Sequence, residues 1–120
     1  MTSGDGLKQP GGILALKQQM DPLLNSEIRF TIMTALALYK TVDFSFLKAN
    51  LEVTDGNLSI NLSKLEAAGF LTSYKEFIRK KTHTSYTITT LGLERLSSHI
   101  DAIAEVRRQV QQERQKGEQS

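Results

Sequence analysis

Hydrophobic residues recur at helical spacing along the first third of the chain. Residues 13–20 predict a short helix, which Asp21 and Pro22 end. A longer helix follows, from a cap at Asn25 or Ser26 to about position 40. Its apolar residues lie on two sides, which is typical of a central and largely buried helix.

Two further helices are predicted next, joined by a brief connection. Asp43 caps a helix over residues 44–50, and Thr54 caps the following one after a connection of residues 51–53. That helix ends near position 68, because Gly69 favours the left-handed conformation just past a helix. Such a short connection is the spacing of a helix-turn-helix unit.

The pattern then changes from helical spacing to partial alternation. Residues 70–78 and 85–89 are rich in Thr, Tyr, Phe, Ile and Ser, and they predict a β-hairpin whose connection is longer than a tight two-residue turn. Thr89 or Thr90 caps a last helix over residues 91–110. This order predicts an α+β, mostly α fold: a winged helix-turn-helix, with a three-helix core, a β-hairpin wing and a long C-terminal dimerisation helix.

The same pattern divides the chain into four parts. We predict a disordered N-terminal tail over residues 1–12, a winged helix DNA-binding domain over 13–90, a dimerisation helix over 91–110 and a polar tail over 111–120. The two tails are predicted because the first is rich in Gly and polar residues and the second contains no apolar residue.

Composition narrows the classes of protein. The 120 residues, 39% of them hydrophobic, allow one domain with a modest core, and the lack of cysteine excludes disulfides, thiol catalysis and Cys-type zinc sites. Without a signal peptide or an apolar run long enough to span a bilayer, we expect a cytoplasmic protein with no membrane partner. No nucleophile–base pair, metal-ligand cluster or phosphate loop has a recognisable spacing, so neither an enzyme nor a metal or cofactor site is predicted.

The predicted third helix has an apolar side and a polar side. On a helical wheel of about 100° per residue, Leu58, Leu62 and Leu65 form the core stripe. Amides and hydroxyls suit base edges, and an outward aliphatic residue suits a thymine methyl group. We therefore predict that the other side contacts the major groove of DNA, through Asn57, Ser59, Ile60, Asn61, Ser63 and Lys64. The alternative is an ordinary amphipathic helix with a solvated polar face.

The predicted hairpin tip is basic. The net charge of the chain is only +2, but Arg79, Lys80 and Lys81 are three consecutive cations. Such a tip can contact phosphates or enter the minor groove, while a tip charged for solubility is the alternative. His83 follows the tip, and His99 lies on a different predicted element, so a metal role is not expected.

Five segments resemble the small winged-helix transcriptional regulators related to the MarR and ArsR repressors. They are LNSEIR (24–29), DFSFL (43–47), TDGNLS (54–59), LSKLEAAGF (62–70) and YTIT (86–89). The resemblance covers about residues 21–100 and is most specific over 54–70. It implies a homodimer that binds double-stranded DNA at a near-palindromic operator as a regulator, here taken as a repressor, with the third helix in the major groove and the hairpin as the wing.

The chain departs from that family in two respects. Arg79 and Thr82 stand in the wing where family members often carry Gly and Pro. The Cys or His clusters that ArsR-type metal sensing needs are absent, so that function is not expected here.

The last predicted helix carries an apolar seam. Its residues extend beyond the surface that a compact winged helix offers, so we predict that they form the dimer interface: Ile100, Ile103, Val106 and Val110. The alternative is that this helix folds back over the chain's own first long helix. The competing function is a winged-helix module that binds protein without sequence-specific DNA binding, which the cationic wing and the polar third helix disfavour.

Overall fold

The computed structural model describes residues 12–119, which divide into two compact units. The first is Pro22–Leu96, and the second combines residues 12–21 with residues 97–119. The helices are α1 (Gly12–Gln19), α2 (Glu27–Tyr39), α3 (Phe44–Leu51), α4 (Asp55–Ala67) and α5 (Thr90–Gln119), with a 3-10 turn at Pro22–Asn25. The strands are β1 (Thr41–Asp43), β2 (Leu71–Ile78) and β3 (Lys81–Ile88).

Short polar side chains begin the three helices of the winged-helix core. Ser26, Asp43 and Thr54 each accept a hydrogen bond from the backbone N–H three residues later, at 3.3, 2.7 and 3.1 Å. These bonds satisfy backbone donors that the first helical turn leaves unpaired. The predicted caps at Asp43 and Thr54 are confirmed, and of the two candidates for α2 the cap is Ser26.

The three strands form one antiparallel sheet in the order β1-β3-β2. β1 was not predicted, because three residues are too few to show alternation. β2 and β3 pair from Leu71↔Ile88 to Ile78↔Lys81, so only Arg79 and Lys80 connect them. The prediction of a longer connection is wrong, because both residues take positive φ angles, 51° and 63°, that close a tight turn.

The core of the first unit gathers side chains from every helix and from the sheet. The predicted stripe of α4 is confirmed, since Leu58, Leu62 and Leu65 are fully buried or nearly so. They pack in one cluster with other buried residues, which are Leu24, Ile32, Met33, Leu36, Val42, Leu47, Phe70, Leu71, Tyr86 and Leu96. The two-sided apolar pattern of α2 follows from this central place in the cluster.

Thr89 joins the end of α4 to the start of α5. Its Oγ1 donates to the carbonyl oxygen of Gly69 at 2.6 Å and accepts from the N–H of Gly92 at 2.9 Å. Gly69 takes the left-handed conformation, with φ of 81°, as its position after α4 predicted. The wing is therefore anchored at its base between two helix ends.

The second unit holds α1 against the later part of α5. The side chain of Gln19 donates to the carbonyl oxygen of Ser98 at 3.1 Å, and the N–H of Asp21 donates to Nδ1 of His99 at 3.0 Å. His99 and Ala102 are buried. None of the described helices is long and apolar enough to cross a membrane.

Helix α5 is longer than the sequence pattern predicted. It continues through residues 111–119, so the prediction of a polar tail there is wrong. The segment lacks apolar residues but is rich in Gln, Glu, Arg and Lys, which are good helix formers. The predicted N-terminal tail lies outside the described residues except for Gly12, which begins α1.

Candidate functional site

The outward side of α4 carries short polar side chains together with one aliphatic residue and one lysine. The exposed residues include five that were predicted to contact DNA, namely Asn57, Ser59, Ile60, Ser63 and Lys64. Ile60 is the one large aliphatic residue among them and is 58% exposed. A Cβ atom built on Gly56 would have no other atom of the protein within 4 Å. The start of α4 is therefore open to the close approach of a ligand. The contact of these residues with DNA stays a prediction.

Asn61 does not belong to this exposed surface. The prediction that it faces outward is wrong, because only 6% of it is exposed. Its Oδ1 accepts from Nη1 of Arg29 at 2.8 Å, and its Nδ2 donates to the backbone oxygen and to Oδ1 of Asn57, both at 2.9 Å. Both ends of its amide are therefore used inside the protein.

The partner of Asn61 had no signal in the sequence. Arg29 lies on α2, 32 residues away, and its Nε also donates to the carbonyl oxygen of Leu23 at 2.7 Å. A helical wheel describes one helix alone. It places Asn61 on the polar side of α4 and cannot show that Arg29 of α2 lies beside it. In the folded chain, Arg29 gives the Asn61 amide a hydrogen-bond partner inside the protein. This polar side chain can therefore be buried.

A cleft of about 310 Å³ separates α4 from the base of the wing. Ser59 and Ser63 line it from α4, while Lys75 and Thr84 line it from the two wing strands. The structure thus brings part of the predicted reading surface together with polar wing residues. Lys75 and Thr84 are paired across the wing, and neither is among the residues predicted from the sequence to contact DNA.

The lining of this cleft includes a carboxylate, Glu66. Glu66 accepts a hydrogen bond from the hydroxyl of Ser73 at 2.7 Å, and Tyr86 lines the same cleft. Burial, followed by the nearby negative charge of Glu66, raises the pKa of the Tyr86 hydroxyl. Both effects favour the protonated form of the hydroxyl.

The tip of the wing presents its cations on a constrained turn. Arg79 and Lys80 occupy the two central positions with positive φ, and Lys81 begins β3. All three are exposed. A left-handed conformation costs a non-glycine residue roughly 1–2 kcal/mol, so the turn holds two long cationic side chains where Gly would be easier to place.

An ion pair crosses the turn between α3 and α4. Nζ of Lys48 lies 2.7 Å from Oδ1 of Asp55, with both side chains exposed. Asp55 is in the first turn of α4, where its carboxylate opposes the approach of a phosphate to the free N–H groups. The partner Lys48 offsets that charge locally, and no sequence pattern indicated this pairing.

The later part of α5 exposes an apolar seam in the second unit. Ile100, Ile103 and Val110 are 42, 45 and 49% exposed, and Val106 is half-buried. The buried residues His99 and Ala102 lie on a neighbouring side of the same helix. The seam is accessible in the single chain, while its role as an interface stays a prediction. Among the described residues, no group of three or more His, Cys, Asp or Glu could hold a metal ion.

The chain matches known proteins over most of its length. A family model described as winged helix DNA-binding domain matches residues 28–106. An uncharacterized protein of Methanocaldococcus jannaschii is 32% identical over 89 residues, which are 74% of this chain and 97% of that protein.

Solved structures share the fold. A transcriptional regulator homologue from Pyrococcus horikoshii is 29% identical, with a TM-score of 0.68 over 76% of this chain and 91% of the other. A MarR family transcriptional regulator from Streptomyces coelicolor, solved in complex with DNA, gives a TM-score of 0.60 over 88% of this chain and 74% of the other. Because the sequence identity to that second structure is only 19%, the similarity shows a shared fold and nothing more.

Proposed function

Because this chain belongs to the winged helix DNA-binding domain family, we propose that it is a transcriptional regulator that binds a specific double-stranded DNA sequence as a homodimer and represses transcription. Its similarity to a transcriptional regulator homologue supports the regulatory role. The observation that carries the proposal is the exposed polar surface of α4 beside a cationic wing.

Helix α4 is the element that we place in the major groove. Gly56 leaves the start of the helix open, and Asn57 and Ser59 beside it have short side chains, so the backbone can approach the base edges closely there. Asn57, Ser59 and Ser63 can form hydrogen bonds with bases, and Lys64 can reach a guanine or a phosphate. Ile60 is exposed where a thymine methyl group would cover it.

The wing is the element that we place on the phosphate backbone. Arg79, Lys80 and Lys81 are exposed at its tip, and cations that neutralise phosphates release counterions whatever the base sequence. Lys75 and Thr84 extend this polar surface along the cleft toward α4. The wing therefore supplies affinity and orientation, while α4 supplies the choice of sequence.

The exposed seam on α5 supports the homodimer. Burial of Ile100, Ile103, Val106 and Val110 against a second copy removes four aliphatic side chains per chain from water. Because less than half of each side chain is exposed in the single chain, each contributes less than the very roughly 1.5–3 kcal/mol of a fully exposed side chain, before entropic costs. A two-fold pair of α4 helices can then contact two half-sites about one helical turn apart.

The alternative protein-binding module is less well supported. A surface that docks protein through its centre is enriched in aromatic residues and depleted of charge. The exposed side of α4 has a single large aliphatic residue, Ile60, and carries Lys64. The adjoining wing tip is cationic, which matches the charge of DNA.

Selection of bound sequences from a random pool of double-stranded DNA tests the proposed function. The full chain should enrich a near-palindrome whose half-sites are separated by about ten base pairs, centre to centre. Enrichment of a single unpaired half-site would contradict the dimeric mode, and recovery of an unenriched pool would contradict sequence-specific binding altogether.

A further inference from the structure

A chain of hydrogen bonds with one direction runs from α2 to the surface of α4. Nη1 of Arg29 donates to Oδ1 of Asn61, and Nδ2 of Asn61 donates in turn to Oδ1 of Asn57. Arg29 is also held by the carbonyl oxygen of Leu23, which accepts from its Nε. We call Arg29, Asn61 and Asn57 the amide relay.

The direction of the relay follows from the chemistry of its first member. A guanidinium group has N–H donors and no acceptor, so Arg29 can only meet the oxygen of the Asn61 amide. The amide nitrogen of Asn61 then points toward Asn57. It donates to the backbone oxygen of Asn57 at 2.9 Å. The same nitrogen lies 2.9 Å from Oδ1 of Asn57, so the Asn57 side chain turns its oxygen toward the relay.

The exposed end of the relay is a donor. Because Oδ1 of Asn57 accepts from Asn61, its Nδ2 group is turned away from that bond, on an exposed residue in the first turn of α4. The first turn of a recognition helix is the part that contacts base edges in this class of protein. A free asparagine can pair with adenine by donating to N7 and accepting from N6, which requires its oxygen and nitrogen to face the base together.

We propose that Asn57 recognises its base through its Nδ2 donor, and that Asn61 and Arg29 are positioning residues that turn this donor outward. This proposal rests on the proposed function. A donor selects an edge that presents acceptors, and guanine presents two neighbouring ones, N7 and O6. Cytosine presents only its N4 donor there, and adenine and thymine each present one acceptor, N7 and O4, where guanine presents two. Guanine is therefore the expected base at this position.

Reversal of the relay tests this proposal. Asn61→Asp keeps the shape of the side chain but gives it two acceptor oxygens, which can accept from both Arg29 and the Asn57 amide. The Asn57 amide then turns its nitrogen inward and its oxygen outward. Asn57→Asp provides a second test at an exposed position, because it presents only acceptors while Asn61 can still donate to it.

The experiment is selection from a random double-stranded DNA pool with the unaltered chain and four variants. Asn57→Ala identifies the dependent base pair as the position whose preference disappears. At that position, Asn61→Asp and Asn57→Asp should replace guanine by a base that offers a donor, cytosine or adenine, with roughly a 5- to 150-fold change in relative affinity, the range of one good base contact. The matched control Asn50→Asp, on α3 outside the relay, should keep guanine.

The outcomes distinguish a failure of this inference from a failure of the proposed function. If the unaltered chain enriches a sequence but Asn61→Asp and Asn57→Asp both keep its preference for guanine, the polarity of Asn57 is not set as proposed. The inference also fails if Asn57→Ala alters no position, or if the unaltered chain prefers a base other than guanine at the position that Asn57→Ala alters. If the unaltered chain enriches no sequence, the proposed function fails and this inference fails with it. Thermal unfolding checks each variant. If Asn61→Asp misfolds, a guanine preference that Asn57→Asp keeps still overturns the donor role of Asn57.

Discussion

Gly92 lies directly against the backbone carbonyl of Phe70. A Cβ atom built on Gly92 would be 2.1 Å from the Phe70 oxygen and 2.9 Å from Cε of Met33. The first of these neighbours is backbone and cannot turn away as a flexible side chain can. The start of α5 is therefore held to the base of the wing at a distance that only glycine permits.

Gly92→Ala should destabilise the winged-helix unit because the added methyl group forces α5 away from Phe70. We expect a loss of roughly 1–3 kcal/mol in the free energy of unfolding, the cost typical of overpacking. Urea denaturation measures it. The control Gly117→Ala, on the same helix with no atom within 4 Å, should cause no loss. Equal stability of the two variants would contradict the close approach.

The wing cations should contribute affinity that does not depend on sequence. Replacement of Arg79, Lys80 and Lys81 together by Ala should weaken binding to selected and random DNA alike. The slope of log affinity against log salt should flatten by roughly 0.9 for each phosphate that the wing no longer neutralises. Fluorescence anisotropy over a salt series measures both effects, and an unchanged slope would place the wing away from the DNA.

Ile103 should lie near the centre of the dimer interface. Ile103→Asp places a charge in the exposed seam, so we expect monomers by light scattering while the core of the first unit stays folded. The control Gln115→Asp adds the same charge on an exposed part of α5 away from the seam and should leave a dimer. A dimeric Ile103→Asp protein, or an unaltered chain that is monomeric at micromolar concentration, would rule out this interface.

Stability should decrease in mild acid because of His99. Burial lowers its pKa below the usual 6.5, an effect larger than the opposing one of the nearby Asp21 carboxylate. Its Nδ1 accepts a hydrogen bond from the Asp21 N–H, which requires the neutral ring. The unfolded chain binds a proton more readily, so this contribution is complete above about pH 6.5 and is lost as the pH falls through the lower folded pKa.

Thermal unfolding between about pH 8 and pH 5 measures this loss. His99→Gln keeps an acceptor for the Asp21 N–H but removes the titrating ring, so it should lose less stability on acidification than the unaltered chain does. His83→Gln, on the exposed wing, serves as the control and should follow the unaltered chain. Parallel curves for His99→Gln and the unaltered chain would exclude His99 as the cause.

Elements whose information is local could be predicted from the amino-acid pattern alone. Caps such as Asp43 and Thr54 bond to backbone groups three residues away, and the Leu58, Leu62 and Leu65 stripe repeats within one helix. Both signals act over a few residues, so a pattern along the chain contains them in full. The order of these elements was sufficient to predict the winged helix-turn-helix.

The role of individual polar side chains depended instead on partners that folding brings together. Asn61 and Ser63 both belong to the polar side of α4 by sequence, yet Asn61 is buried because α2 brings Arg29 to it across 32 positions. The turn at Arg79 and Lys80 has the same kind of origin, since the pairing of β2 with β3 imposes positive φ on residues that do not favour it. Partners distant in sequence supply these constraints, and a buried polar group takes whichever partner the fold places beside it.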